Sequence, residues 1–147
     1  MKTKVLVTYA SSYGSTKEIA EVISKTLRSQ GLAVDLQLIR KVRILEGYSA
    51  VVLGAPLYMF HWHKDARHFL SQHRKILADH LPLAIFAGGP FAKGDGNEWQ
   101  EVRAKFDLEL ARFPWLTPIS VQIVGGKFDP AKLRFPYNLI PVLKSRK

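Results

Sequence analysis

The chain is predicted to fold as an α/β domain, with a parallel sheet covered by helices on both faces. Short and nearly unbroken apolar runs, such as Val5-Leu6-Val7, Ala50-Val-Val-Leu53 and Leu83-Ala-Ile-Phe-Ala87, suit strands buried on two sides. Segments with apolar residues at helical spacing alternate with these runs, which is the pattern of parallel strands joined by crossover helices. At 147 residues and 47% hydrophobic content, the chain is sized for one domain with an ordinary core.

Residues 3–9 form the first expected strand. Ser15-Thr-Lys-Glu18 has capping-box spacing, and Ile19, Ala20, Ile23 and Leu27 then mark one helical stripe that Gly31 stops. Residues 32–39 alternate apolar and polar, as an edge strand does, and a short basic connection over 41–48 leads to the strand 50–53. That strand is expected to end at Gly54 and Pro56. Ala66, Phe69, Leu70 and Leu77 define a helix over 63–78. The strand 83–87 ends at Gly88-Gly89-Pro90, and after a glycine-containing loop Trp99, Val102, Phe106 and Leu110 mark another helix that Pro114 closes. The last strand spans 118–124.

Cysteine is absent, which excludes disulfides, thiolate nucleophiles, cysteine-held zinc and cysteine-ligated iron–sulfur clusters. Lys and Arg outnumber Asp and Glu by 22 to 12, a formal charge of +10 that favours anionic ligands, acidic partners or membrane surfaces. No apolar run is long enough to cross a bilayer and no signal-peptide core precedes the first strand, so the expectation is a cytoplasmic protein.

In an open parallel sheet, ligands sit beyond the carboxyl ends of the strands. Three loops leave that edge, at 10–15, 55–62 and 88–97. The first contains Ser11, Ser12, Tyr13, Gly14, Ser15 and Thr16 ahead of a helix, so hydroxyls and unpaired helix N–H groups are available to a phosphate. It has neither G-x-G-x-x-G nor the G-x-x-x-x-G-K-[ST] pattern, which argues against a dinucleotide fold of that type and a nucleoside-triphosphate loop. Nor does it offer the carboxylates of a phospho-receiver, since Ala10, Ser11 and Gly54 occupy the equivalent places. Making a turn and capping a helix account for the same residues, so the loop alone leaves both readings open. The second loop carries Pro56, Leu57, Tyr58, Met59, Phe60 and Trp62, and flat apolar side chains at a ligand edge suit stacking on an aromatic ring. Anchoring of the loop onto the core is the alternative for some of them. A phosphate nest beside an aromatic loop implies a flat cofactor with a phosphate tail.

These loops resemble those of the flavodoxin-like proteins, whose first loop follows T-x-T-G-x-T. Ser11-Ser-Tyr-Gly-Ser-Thr16 keeps Gly14 and Thr16, has Ser11 in the first hydroxyl position, and carries Tyr13 where the family has a hydroxyl residue. The resemblance implies a three-layer sandwich with a five-stranded parallel sheet in the order 2-1-3-4-5. It also implies flavin mononucleotide (FMN) as cofactor, with residues 11–16 on the phosphate and the loops beginning at Ala55 and at Gly88-Gly89 on the ring. Gly54-Ala55, the His61-Trp62-His63 element and the basic, aromatic Leu133-Arg-Phe-Pro-Tyr137 are similar to the flavodoxin-like menaquinone-dependent protoporphyrinogen oxidase group. That similarity implies electron transfer from a porphyrinogen-type or other anionic donor to a quinone. His61 and His63 are catalytic candidates that could transfer protons or bind a substrate carboxylate, the alternative being that His63 begins a helix and His61 shapes the loop. No metal-ligand spacing occurs among the histidines.

Flavodoxin-like chains add a final helix after the fifth strand, whereas Pro130, Pro136 and Pro141 interrupt this sequence after Gly126. The expected organisation is a domain over 1–126 and a basic, apolar tail over 127–147 that belongs to it. Such a tail either patches the core or docks on the inner face of a membrane, and a homodimer is another way to cover the face the helix would have filled. Two further classes stay open. One is a flavodoxin-type electron carrier with no substrate chemistry of its own. The other is a flavin-free module holding anions or nucleic acid, against which stand the spread of the basic residues and the lack of a base-reading motif.

Overall fold

The computed structural model describes residues 4–10, 14–58, 61–79, 81–89 and 96–125. The elements in chain order are β1 (Lys4–Tyr9), α1 (Gly14–Ser29), β2 (Ala33–Leu38), a 3-10 turn (Ile39–Lys41), β3 (Ala50–Tyr58), β4 (His61–Trp62), α2 (Lys64–Gln72), α3 (Arg74–Asp79), β5 (Leu83–Gly89), α4 (Gly96–Leu110) and β6 (Ser120–Gly125). The five long strands pair in parallel in the order β2-β1-β3-β5-β6, and β4 folds back antiparallel on β3. With β4 set aside, this is the expected 2-1-3-4-5 order, and its reversal point lies between β1 and β3.

Strand alternation divides the core in two. Val5, Val7, Val52 and Phe86 face α1, whose Ile19, Ala20, Ile23 and Leu27 are buried against them. Leu6, Leu53, Ile85 and Ala87 face the other layer, where Phe69, Leu70, Leu77, Val102 and Phe106 of α2, α3 and α4 cover them. Helix α1 buries the stripe its spacing predicts, Ala66, Phe69, Leu70 and Leu77 do the same on α2 and α3, and α4 buries Val102 and Phe106 with Leu110 half-buried. Hydrophobic burial on both faces holds the sheet between the two layers. Ser24, the one buried polar residue midway along α1, returns its hydroxyl to the Ala20 carbonyl at 2.9 Å.

Gly31 ends α1 as expected, through a φ of 89°. The Leu32 N–H bonds the Leu27 carbonyl at 3.2 Å and the Gly31 N–H bonds that of Arg28 at 3.0 Å, a paired closure in which Leu27 and Leu32 are both buried. Helix α1 begins at Gly14, so Ser15 lies inside the first turn rather than capping it.

Two expected boundaries are corrected. Gly54 and Pro56 do not end β3, which continues to Tyr58. Pairing with β1 stops at Tyr9–Gly54, so the missing N–H of Pro56 faces the side that β1 has vacated and costs no ladder bond. Gly54 stays in the strand because the Phe86 ring of the neighbouring strand occupies the place a side chain would take. The helix expected over 63–78 is two helices that meet at His73, whose N–H bonds the Phe69 carbonyl at 3.0 Å. The His73 ring lies 4.6 Å from that of Phe69, and burial, followed by the nearby His68, lowers its pKa so that it sits neutral in the bend. The tail over 127–147 lies outside the described residues.

At the amino end of the sheet the polar groups close on themselves. The Tyr48 hydroxyl donates to Asp35 Oδ2 at 2.6 Å, Lys4 Nζ lies 3.3 Å from the same oxygen, and Lys4 also sits 5.3 Å from the centre of the Tyr48 ring. The Tyr48 hydrogen bond, ahead of the Lys4 charge, holds the Asp35 carboxyl below its usual range against opposing desolvation. Burial, then the bond to Asp35, pushes the Tyr48 phenol up to about 12.

Candidate functional site

The carboxyl edge of the sheet brings together the end of β1, the start of α1, the β3–β4 hairpin and the end of β5. Helix α1 is 16 residues long, and no acidic residue stands in its first turn. Its unpaired N–H groups and positive dipole end are therefore uncompensated by a local carboxylate. Thr8 and Thr16 are buried there, and among the described residues Thr8 Oγ1 has no hydrogen-bond partner. A buried hydroxyl without a partner costs about 1–3 kcal/mol, so this edge is primed for a polar ligand rather than optimised for stability. The Ala10 N–H is already used, bonded to the Gly54 carbonyl at 2.9 Å.

The expected aromatic loop is in fact a hairpin. Leu57 pairs with Trp62 and Tyr58 with His61, and the His63 N–H bonds the Pro56 carbonyl at 3.1 Å. β4 thus takes over the edge of β3 that β1 leaves. Two helices hold its outer edge: the Trp62 N–H donates to Glu109 Oε1 of α4 at 3.1 Å, and Arg67 Nε of α2 donates to the Trp62 carbonyl at 3.1 Å. Arg112 Nη1 lies 3.4 Å from the second oxygen of Glu109, so both oxygens of this buried carboxylate have a partner.

Trp62 is the residue for which the ring-stacking expectation fails. It is only 1% exposed, meets Phe106 edge-on at 5.3 Å, and donates its indole N–H to the Ala55 carbonyl at 3.1 Å. Its ring anchors the hairpin to the α4 side of the core, and no face of it is left for a ligand. Pro56 is buried at the end of β3, and Leu57 and Tyr58 continue that strand into the hairpin. Gly88 and Gly89 are strand rather than loop, paired with Pro56 on one side and with Val124 and Gly125 on the other. Gly14 and Ser15 open α1, with Thr16 behind them. Ser11, Ser12, Tyr13, Met59 and Phe60 lie outside the described residues.

Of the two histidine candidates, His61 is a strand residue paired with Tyr58. His63 caps α2: its Nδ1 accepts the Asp65 N–H at 3.0 Å. That nitrogen is committed to the helix, so it is not the one that exchanges a proton with a ligand. Asp65 in turn accepts from Arg40 Nε at 3.1 Å. Arg40, His63 and Asp65 line a cleft of about 230 Å³ together with Tyr9 at the end of β1, Ala10 just after it, Leu38 at the end of β2 and Ile39 of the 3-10 turn. Sequence reading missed Arg40, Asp65 and Glu109, because each lies in a stretch whose spacing signals only a basic connection or an amphipathic helix.

The flavodoxin domain family profile matches residues 6–138. Protoporphyrinogen IX dehydrogenase (quinone) of Escherichia coli K12 is 27% identical over 154 aligned positions, which cover 88% of this chain and 84% of that protein. A flavodoxin from the domain Archaea superposes with a TM-score of 0.69 at 16% identity, over 97% of this chain and 99% of its own. Oxidised Flavodoxin 1 from Bacillus cereus gives 0.68 at 17% identity, with 99% of each chain covered. These two structures speak for the fold alone. With its strand order, its crossover helices and a profile match over nearly all of its length, the chain belongs to the flavodoxin domain family.

Proposed function

We propose that this chain binds FMN and passes electrons from an anionic organic donor of the porphyrinogen type to a quinone. The observation that carries the reaction is the similarity, over most of both chains, to a quinone-linked protoporphyrinogen IX dehydrogenase. The donor set fits the cofactor. A helix start without acidic residues suits the phosphate, the Thr8 hydroxyl needs a partner at the same edge, and the hairpin segment is apolar and aromatic in sequence. Ser11, Ser12, Ser15 and Thr16 would hold the phosphate together with the first N–H groups of α1. Tyr58, Met59 and Phe60 of the hairpin segment, with the backbone at Gly88 and Gly89, would flank the ring.

FMN held by these residues would supply the two-electron chemistry, by which the two electrons and two protons lost by the donor end on the quinone as a quinol. The residues of the chain bind, orient and shield. Trp62, Glu109 and Arg67 contribute by holding the hairpin rather than by touching the cofactor. The charge of +10 suits a donor bearing carboxylates and favours a reaction at an anionic membrane surface, where a quinone dissolves.

A second reading, an electron carrier without substrate chemistry, is equally compatible with membership of the flavodoxin domain family. One experiment separates them. The purified chain, reconstituted with FMN, is expected to absorb in the visible, to bleach anaerobically with a porphyrinogen and to recover its colour with a menaquinone analogue. A chain that stays colourless removes both redox readings. A yellow chain that a porphyrinogen does not reduce, beside a working positive control, leaves the carrier.

A further inference from the structure

We propose that Arg40 recognises a carboxylate of the organic donor, in the cleft between β1, the turn after β2 and the start of α2. This rests on the redox reading above and adds the residue that selects an anionic donor. The argument begins with the guanidinium. Its Nε is bonded to Asp65, and that side chain stands at the start of α2, a helix fixed by the His63 cap. Among the described residues, Nη1 and Nη2 make no bond, and the side chain is 77% exposed. Asp65 therefore holds the planar group in one orientation and leaves its end-on pair of donors open, the edge that grips a carboxylate with two parallel hydrogen bonds. The anchor matters because an unrestrained arginine loses more side-chain freedom on binding.

Position and size agree with this role. The cleft includes Ala10, the last described residue before the segment assigned to the phosphate, so a ligand there lies beside the cofactor. Its volume of about 230 Å³ is below the roughly 300–1,000 Å³ that enclose a whole drug-sized ligand. It accepts one carboxylate-bearing arm, while the flat body of the donor remains over the hairpin. Leu38, 39% exposed at the rim, offers an apolar contact for the carbon chain of such an arm. The helix start is not the anion donor here, since His63 already takes the Asp65 N–H.

The test uses the FMN-reconstituted protein and coproporphyrin, which carries four carboxylates, with its tetramethyl ester as the uncharged counterpart; binding is read by fluorescence. Arg40→Ala is expected to raise the Kd for coproporphyrin about tenfold, the loss of a charge-assisted pair reduced by solvent exposure. It should leave both the ester and FMN within twofold of the unsubstituted protein. Arg40→Lys should fall between, because an ammonium keeps the charge without the fork. Lys25→Gln, an exposed change of the same charge on α1, should leave coproporphyrin binding unaltered. The proposal is overturned if Arg40→Ala binds coproporphyrin within twofold of the unsubstituted protein, or if Lys25→Gln weakens it equally, which makes net charge the cause. Weaker FMN binding by Arg40→Ala overturns it too, by assigning the guanidinium to the cofactor phosphate. Failure of the redox reading is seen separately, as loss of flavin or of donor oxidation, since porphyrin binding is measured without turnover.

Discussion

The two ends of the sheet are built to opposite rules. At the amino end, Lys4, Asp35 and Tyr48 satisfy one another within 3.3 Å. At the carboxyl end, Thr8 Oγ1 is buried without a partner and Arg40 keeps two unbonded nitrogens, both statements holding among the described residues. The same strands run through both ends, so the contrast is not one of hydrophobic burial. It lies in whether polar groups are closed by the chain itself or left for something else to close. The amino end satisfies its polar groups within the chain, and the carboxyl end leaves the buried Thr8 hydroxyl and two guanidinium nitrogens of Arg40 without a bond among the described residues.

Substitutions can break that contrast, beginning with the largest effect. Trp62→Ala empties the anchor of the hairpin and should cost about 3–5 kcal/mol in urea unfolding. It should weaken FMN binding as well, since the hairpin loses its support; a variant with unchanged affinity would detach the hairpin from the cofactor site. Gly54→Ala puts a methyl group into the Phe86 ring. The expected loss is about 1–3 kcal/mol, and Gly54→Ala with Phe86→Leu should regain part of it. Equal stability of the single and double variants would show that the strand, not the ring, pays the penalty.

The smallest effect belongs to the closed end. Tyr48→Phe should lower stability by about 1 kcal/mol, given that Asp35 is 37% exposed, and leave FMN affinity unchanged. The pH dependence sharpens it. Because the Tyr48 pKa is raised to about 12, its contribution is complete below pH 10 and disappears as the pH climbs from 10 towards 12. The Asp35 carboxyl is lowered, so its contribution is complete above 3.8 and is lost as the pH falls through its depressed value. Urea midpoints across the alkaline range should fall in the parent chain, and Tyr48→Phe should lack that component.

How much of this could be read in advance follows from the range of each interaction. Helix α1 and its stop at Gly31 were legible because the apolar stripe and the glycine are local signals. The parallel sheet followed from the alternation of elements, and its strand order was implied by the resemblance. Pro56 misled, since its tolerance depends on where β1 ends, a fact about a different strand. Trp62 looked like a ligand platform because spacing cannot tell a side chain that faces a cofactor from one that turns towards Phe106, 44 residues later in the chain. The break at His73 has no glycine or proline to announce it, and the fork of Arg40 depends on Asp65, separated from it by 25 residues. Local chemistry was visible, and pairings made across the fold were not.

The fastening of β4 has a practical corollary. Its backbone is clamped by Glu109 and Arg67, and its indole is bolted to the core, so the β4 end of the hairpin is fixed by groups outside it. The clamps on β4 do not involve Met59 or Phe60, so exchanging those two residues is expected to leave the clamps intact. A library confined to those two positions would alter what the edge accepts while sparing the fold, which makes the hairpin the natural place to retune this scaffold.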